Sequence, residues 1–306
     1  MKRQTGFAPV RFGSPRSLVS ADGSQLELAL PVLAGTPIVR LPIEAGDVVQ
    51  KGAWRIWNSD TWLCAQGLTR VTGSPAPVAR RLYREAFEIA DDLHLYRFWN
   101  FVPQINGKTD GLENYRSFVL GRHEAFSERF GRSASSRMPA ATGVGLDDDS
   151  LVVCFLAGRT EPAHFENPNQ VPAYQYPGDY GPRPPSFARG TRVSVSGSRL
   201  FFVAGTASVL GHTSVGSGDL RHQIDVTMKN LESLSVQMGL SSPLGKGQGY
   251  RRSFRIFLRN ACDIETAVGL LNAVLLEPGD EVVWLRSDIC RRDLDIEIEA
   301  TLIDRS

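Results

Sequence analysis

The chain has 306 residues, with 34 Lys plus Arg against 33 Asp plus Glu, a net charge of +1, 42% hydrophobic and 22% charged residues. This is the composition of an ordinary globular protein long enough for two domains, and its near-neutral balance argues against a general nucleic-acid binder. No run approaches the ~18–20 apolar residues needed to cross a bilayer, and the opening MKRQTGFAPV has charges without the apolar stretch of a secretory leader.

Four scattered cysteines, Cys64, Cys154, Cys262 and Cys290, form no C-x-x-C pair. They fit free thiols in a reducing cytoplasm better than a disulfide framework or a zinc site. The five histidines lack metal-ligand spacing, so neither metal nor cofactor is expected.

The first ~60 residues read as extended segments and turns without a motif. Trp62–Leu68 is then a short apolar strand, followed by a helical run from Val78 to Ile89 with Leu82, Ala86 and Ile89 on one face. The aromatic strand Leu95–Val102, a helix over 113–129 and the strand Ser150–Ala157 complete a first unit. The second half repeats this order: strand Leu200–Ala207, helix 219–238, strand Ser253–Arg259, helix 263–275, and strands Val282–Leu285 and Leu294–Leu302. Two such units give an α+β fold of tandem modules, each a mixed sheet with helices packed on one side. The expected domains are 1–160, a degenerate module with an N-terminal extension; 161–194, a linker that contributes to the site; and 195–306, the working module.

The closing strand is the most informative. Its period of 2 sends Glu297 and Glu299 to one face, opposite Ile296 and Ile298, with Cys290 just upstream. Aligned on apolar residues, Val153 and Phe155 stand in the first unit where these glutamates stand in the second. Carboxylates in a poorly hydrated place need pairing or protonation, so one copy reads as structural and the other as catalytic. The linker carries Tyr174, Tyr176 and Tyr180 with Arg183 and Arg189 on a proline-stiffened loop, able to hold phenols and guanidinium groups over a site. Gly245–Gly249 lacks P-loop spacing, and Asp147–Asp149 reads as a solvated turn.

Several segments together resemble a known family. Asp219–Glu232, Arg255–Arg259 and Ile296–Ala300 follow the order of the reactive-intermediate deaminase (RidA/YjgF, chorismate-mutase-like) fold. Phe202–His212, Tyr174–Arg189, Asn114–Phe126 and Cys290–Glu299 are similar to the chorismatases, which cleave chorismate with loss of pyruvate. The resemblance spans roughly residues 55 to 304. It implies Glu297 as the acid that protonates the enolpyruvyl ether. Cys290 matches the branch that forms 3-hydroxybenzoate, sometimes with the 4-isomer, whereas Ala204 is compatible with either that branch or hydrolysis to a dihydroxycyclohexadiene carboxylate.

Chorismate is a dianion, and arginine offers a planar fork matched to carboxylates. Arg259, Arg122 and Arg183 are the candidate clamps and Tyr174 a hydrogen-bond partner. Gly205 and its neighbours would lie under the ring, where a bulky side chain would clash. Glu299 would raise the Glu297 pKa by coupling, and Cys290, as thiolate or base, would take the ring proton. A monomer that is a pseudo-oligomer by duplication, or a weak homo-oligomer, is expected. An imine or enamine deaminase and a non-catalytic metabolite-binding protein are the competing readings.

Overall fold

A computed structural model describes residues 9–20, 23–40, 47–195 and 197–304; the leader reading of the first residues therefore lies largely outside the described residues. The first module comprises β1 (Asp47–Lys51), β2 (Trp54–Asn58), β3 (Trp62–Arg70), α1 (Pro75–Ala90), β4 (His94–Pro103), α2 (Asn114–Phe130), β5 (Ala140–Leu146) and β6 (Ser150–Gly158). The second comprises β7 (Ala163–Phe165), β8 (Gly190–Val195), β9 (Ser198–Thr206), α3 (Leu220–Met238), β10 (Arg251–Leu258), α4 (Ile264–Val274), β11 (Glu281–Arg286) and β12 (Ile296–Ile303).

The duplication is exact at the level of strand order. The first sheet runs β5-β4-β6-β3-β2-β1, and the second runs β11-β10-β12-β9-β8-β7. In both, one pair is parallel, β5 with β4 and β11 with β10, and the central strand is antiparallel to both neighbours. The parallel pair needs a helical crossover, which α2 and α4 supply. An N-terminal segment, Val32–Gly35, adds an edge strand beside β11.

Three cores define four layers. One packs the first sheet on α1 and α2, a second packs the second sheet on α3 and α4, and a third lies between the two sheets. Helix α1 starts with proline in its first turn, where the missing N–H costs nothing. Helix α3 is capped by Asp219, which accepts from the His222 N–H, and ends at the left-handed Gly239.

Two expectations need correction. The segment 161–194 is not a linker throughout: β7 and β8 are strands of the second sheet, and only the residues between them form an excursion. The proposed equivalence of Val153 and Phe155 with Glu297 and Glu299 is one residue out of register. Val153 and Phe155 pack on the helices, as Ile296 and Ile298 do in the second module. The face that matches the glutamates carries Val152 and Cys154, in the core between the sheets. Because β6 is buried on both faces, its sequence has no alternation to fix a register.

Candidate active site

The ladder between β9 and β12 breaks between Val203 and Thr206. This irregularity frees the Gly205 N–H, which donates to Thr142 Oγ1 of β5 at 3.0 Å. Glu297 sits beside it on β12, paired across the strand with Phe257. A Cβ on Gly205 would strike Glu297 Oε1, so only glycine leaves room for the carboxyl. Here the glycine seats the acid.

Beneath Glu297, Glu299 is held by both modules. Arg97 of β4 donates from Nη2 to Glu299 Oε2 at 2.7 Å, and Arg255 of β10 donates from Nη1 to Oε1 at 2.7 Å. All three residues are buried, and Trp99 lies within cation–π distance of both guanidinium groups. Arg97 also donates to Thr142 Oγ1. That hydroxyl thus accepts from two donors, which leaves its own proton as its remaining hydrogen-bonding capacity.

Glu297 differs from its neighbour. Its Oε1 is buried with no hydrogen-bond partner. Burial first, then the Glu299 charge, raise its pKa to about 8, against the lowering pull of Arg97 and Arg189. The carboxyl is therefore protonated at neutral pH and faces a cavity of about 360 Å³.

That cavity lies between the modules. Its wall includes Tyr115 and Arg122 from α2, Thr142 from β5, Tyr176, Tyr180, Phe187 and Arg189 from the excursion, Gly205 from β9, and Cys290 to Leu294. Arg122 is buried against the rings of Tyr83, Phe98 and Phe126, with Nε and Nη2 unpartnered. Arg189 is buried too; it donates from Nη2 to the Tyr176 hydroxyl at 2.7 Å, and its Nε is unpartnered. Two desolvated cations with unused N–H groups are suited to two carboxylates.

The structure sorts the sequence candidates. Glu297, Cys290, Arg122 and Gly205 meet at the cavity, and Glu299 lies behind it. Ala204 is buried in the core between the sheets and does not line the cavity. Arg183 is exposed, and Tyr174 is half-buried away from the wall, near Glu166. Tyr176 and Tyr180 occupy the wall instead.

Arg259 is also off the wall, with five hydrogen bonds: to Leu294 O, Asn106 Oδ1, Asp288 Oδ1, Ile289 O and Arg291 O. A guanidinium has five N–H groups, so this one has none left for a substrate.

At Cys290, burial first, then the Glu297 charge, push the pKa up to about 12, which favours the neutral thiol over the thiolate.

Sequence reasoning passed over Arg97, Thr142, Tyr115 and Arg255 as site residues, and it put Arg189 on the loop over the site without naming it a clamp. The signal for Arg97 was a lone arginine inside an aromatic strand, and for Arg255 an arginine set between Phe254 and Ile256.

Residues 44–157 match the family model "Chorismatase FkbO/Hyg5-like, N-terminal". The chain is 35% identical over 258 residues to a 3-hydroxybenzoate synthase of Streptomyces hygroscopicus, covering 80% of this chain and 75% of that protein. It is 34% identical over 268 residues to a chorismatase of the same organism, covering 84% and 76% respectively. A chorismatase crystal structure superposes with a TM-score of 0.83 at 27% identity, covering 97% of this chain and 93% of that one. With this identity over this share of both chains, the protein belongs to the chorismatase family.

Proposed function

We propose that the protein cleaves the enolpyruvyl ether of chorismate, releasing pyruvate and, as the principal ring product, 3-hydroxybenzoate. The observation that carries this reading is the buried, unpartnered Glu297 Oε1 at a cavity flanked by two buried arginines with unused N–H groups.

Glu297 donates its proton to the terminal vinyl carbon, forming a C–H bond and an oxocarbenium ion. The carboxylate left behind stabilises that cation at close range in a site of low polarity. Arg122 and Arg189 hold the two substrate carboxylates. Hydrolysis of the cation consumes one water and yields the dihydroxycyclohexadiene carboxylate. Aromatisation consumes none. The ring carbon–ether oxygen bond breaks, and its oxygen becomes the pyruvate carbonyl. The neighbouring hydroxyl oxygen bonds to the vacated ring carbon and parts from its own, and loss of the ring proton gives 3-hydroxybenzoate. The ring proton then has a base at hand in ionised Glu297. Cys290 steers the outcome as a small neutral wall group with a weak S–H donor. The 4-isomer is a second aromatic product of the same course.

A deaminase acting on a 2-imino acid needs one carboxylate clamp, whereas this cavity has two buried cations. The four free thiols support a cytoplasmic location. No helix among the described residues is long and apolar enough to cross a membrane. The two sheets already pack face to face within one chain, which supports a monomer or weak homo-oligomer.

Incubating the purified protein with chorismate, measuring pyruvate and separating the ring products by chromatography tests this reading. A deaminase or a metabolite sensor releases no pyruvate.

A further inference from the structure

The segment between β11 and β12 is neither helix nor strand for most of its length, yet it supplies Cys290 to Leu294 to the cavity wall. Irregular backbone of this kind needs donors for its carbonyls. Three of them, at Ile289, Arg291 and Leu294, accept from one guanidinium, that of Arg259. The Arg259 Nη1 atom adds bonds to Asp288 Oδ1 at 2.7 Å and to Asn106 Oδ1 at 3.0 Å.

Asn106 belongs to the first module, in the turn after β4. Its Nδ2 donates to Ile289 O at 2.9 Å, and its own carbonyl accepts from Arg292. The segment is therefore wrapped around the Arg259 side chain and tied to the other module through Asn106, and also through Gly145, whose N–H donates to Asp288 O at 2.8 Å and whose carbonyl accepts from Ser287 Oγ at 3.0 Å.

We propose that Arg259 is a positioning residue that sets the ring product by fixing Cys290 against the cavity. The carbonyls on either side of Cys290, those of Ile289 and Arg291, are tied to the same nitrogen of Arg259. The thiol cannot shift without straining both. Glu297, by contrast, lies within β12, which is paired on both sides by β9 and β10. Loosening the segment therefore leaves the acid in place while moving the thiol. This inference rests on the chorismate-cleaving reading.

Arg259→Lys keeps the charge but offers at most three N–H donors on a compact head in place of a five-donor fork. Asn106→Ala removes the side-chain link that joins the first module to both Ile289 O and the Arg259 guanidinium, and leaves that guanidinium intact. Each variant is assayed for total pyruvate and for the ratio of ring products, with circular dichroism to confirm folding. Misplacing a reacting group by ~1 Å costs up to ~10²-fold in rate, so the Cys290-dependent product should fall relative to the others by about tenfold while most pyruvate release persists. The product ratio does not depend on how much enzyme is folded, so a merely structural role leaves it unchanged.

Folded variants with the wild-type ratio, or with pyruvate and every product falling in proportion, overturn the proposal. If Arg259→Lys does not fold, Asn106→Ala gives the same readout. A wild type that releases no pyruvate defeats the functional reading itself. A wild type that releases it, with variants of unaltered ratio, defeats only this inference.

Discussion

Arg97 of the first module donates to Glu299 of the second at 2.7 Å, across 202 positions of sequence. Arg255 completes a buried cation–anion–cation set behind the acid. The first module, which carries Val152 and Cys154 where the second has Glu297 and Glu299, therefore shapes the electrostatics of those glutamates.

Replacing Glu297 by Gln should leave the fold intact and lower pyruvate release by about 10²–10⁴-fold, the usual contribution of a general acid. Retention of more than about a third of wild-type turnover sinks the assignment, since it lies far outside that range. In the wild type the rate should fall as pH rises through about 8, where the acid ionises. Stability should follow the same group. Between the ordinary carboxyl value of 4.5 and about 8, the native protein keeps a proton that the unfolded chain has lost. Native stability contributed by that proton is complete below the window and is lost as pH rises through it. Denaturant midpoints at about pH 5 and about pH 9 should therefore differ less in Glu297→Gln than in the wild type.

Glu299→Gln removes the neighbouring charge that raises Glu297 and leaves Arg97 and Arg255 without their anion. Both changes favour ionised Glu297, so the alkaline fall in rate should move to lower pH. Breaking a buried pair of this kind also costs about 3–5 kcal/mol of stability, measurable by urea titration. An unmoved pH profile in a folded variant would show that Glu299 does not tune the acid.

Arg122→Ala should weaken binding of chorismate by about 2–5 kcal/mol, the cost of stripping a desolvated charge of its partner. Calorimetry in a Glu297→Gln background reads binding without turnover. Affinity equal to that background excludes Arg122 as a clamp.

Gly205→Ala places a methyl group where Glu297 Oε1 sits. Displacing the carboxyl by ~1 Å should lower the rate by up to ~10²-fold, with little change in the far-ultraviolet circular dichroism spectrum. Wild-type pyruvate release would show that the strand can yield without moving the acid.

Cys290→Ala should redirect ring products toward the dihydroxy acid or another isomer while pyruvate release continues, because Glu297 is untouched. Alkylation should also discriminate between thiols: exposed Cys262 should react faster than half-buried Cys290, whose pKa is raised. A wild-type product profile in Cys290→Ala reduces the thiol to packing.

The sequence by itself determined the order of strands and helices, the duplication, and the shared face of Glu297 and Glu299. These are local properties, carried by a period of 3.6 or 2 within one element. It missed β7 and β8, which read as linker, and β5, whose run of Ala, Gly and Thr has no alternation, although Thr142 on that strand contacts the site. It also set the first-module equivalents of the glutamates one residue off, because β6 is apolar on both faces.

The choice among arginines was decided only by tertiary structure. In sequence Arg259, at the end of an aromatic strand, looks as good a clamp as Arg122 or Arg183. Folding commits its five N–H groups to a neighbouring loop, while packing the two modules together leaves Arg122 and Arg189 desolvated with N–H groups unused. A side chain's free donors are what remains after its neighbours have taken their share, and those neighbours come from distant parts of the chain.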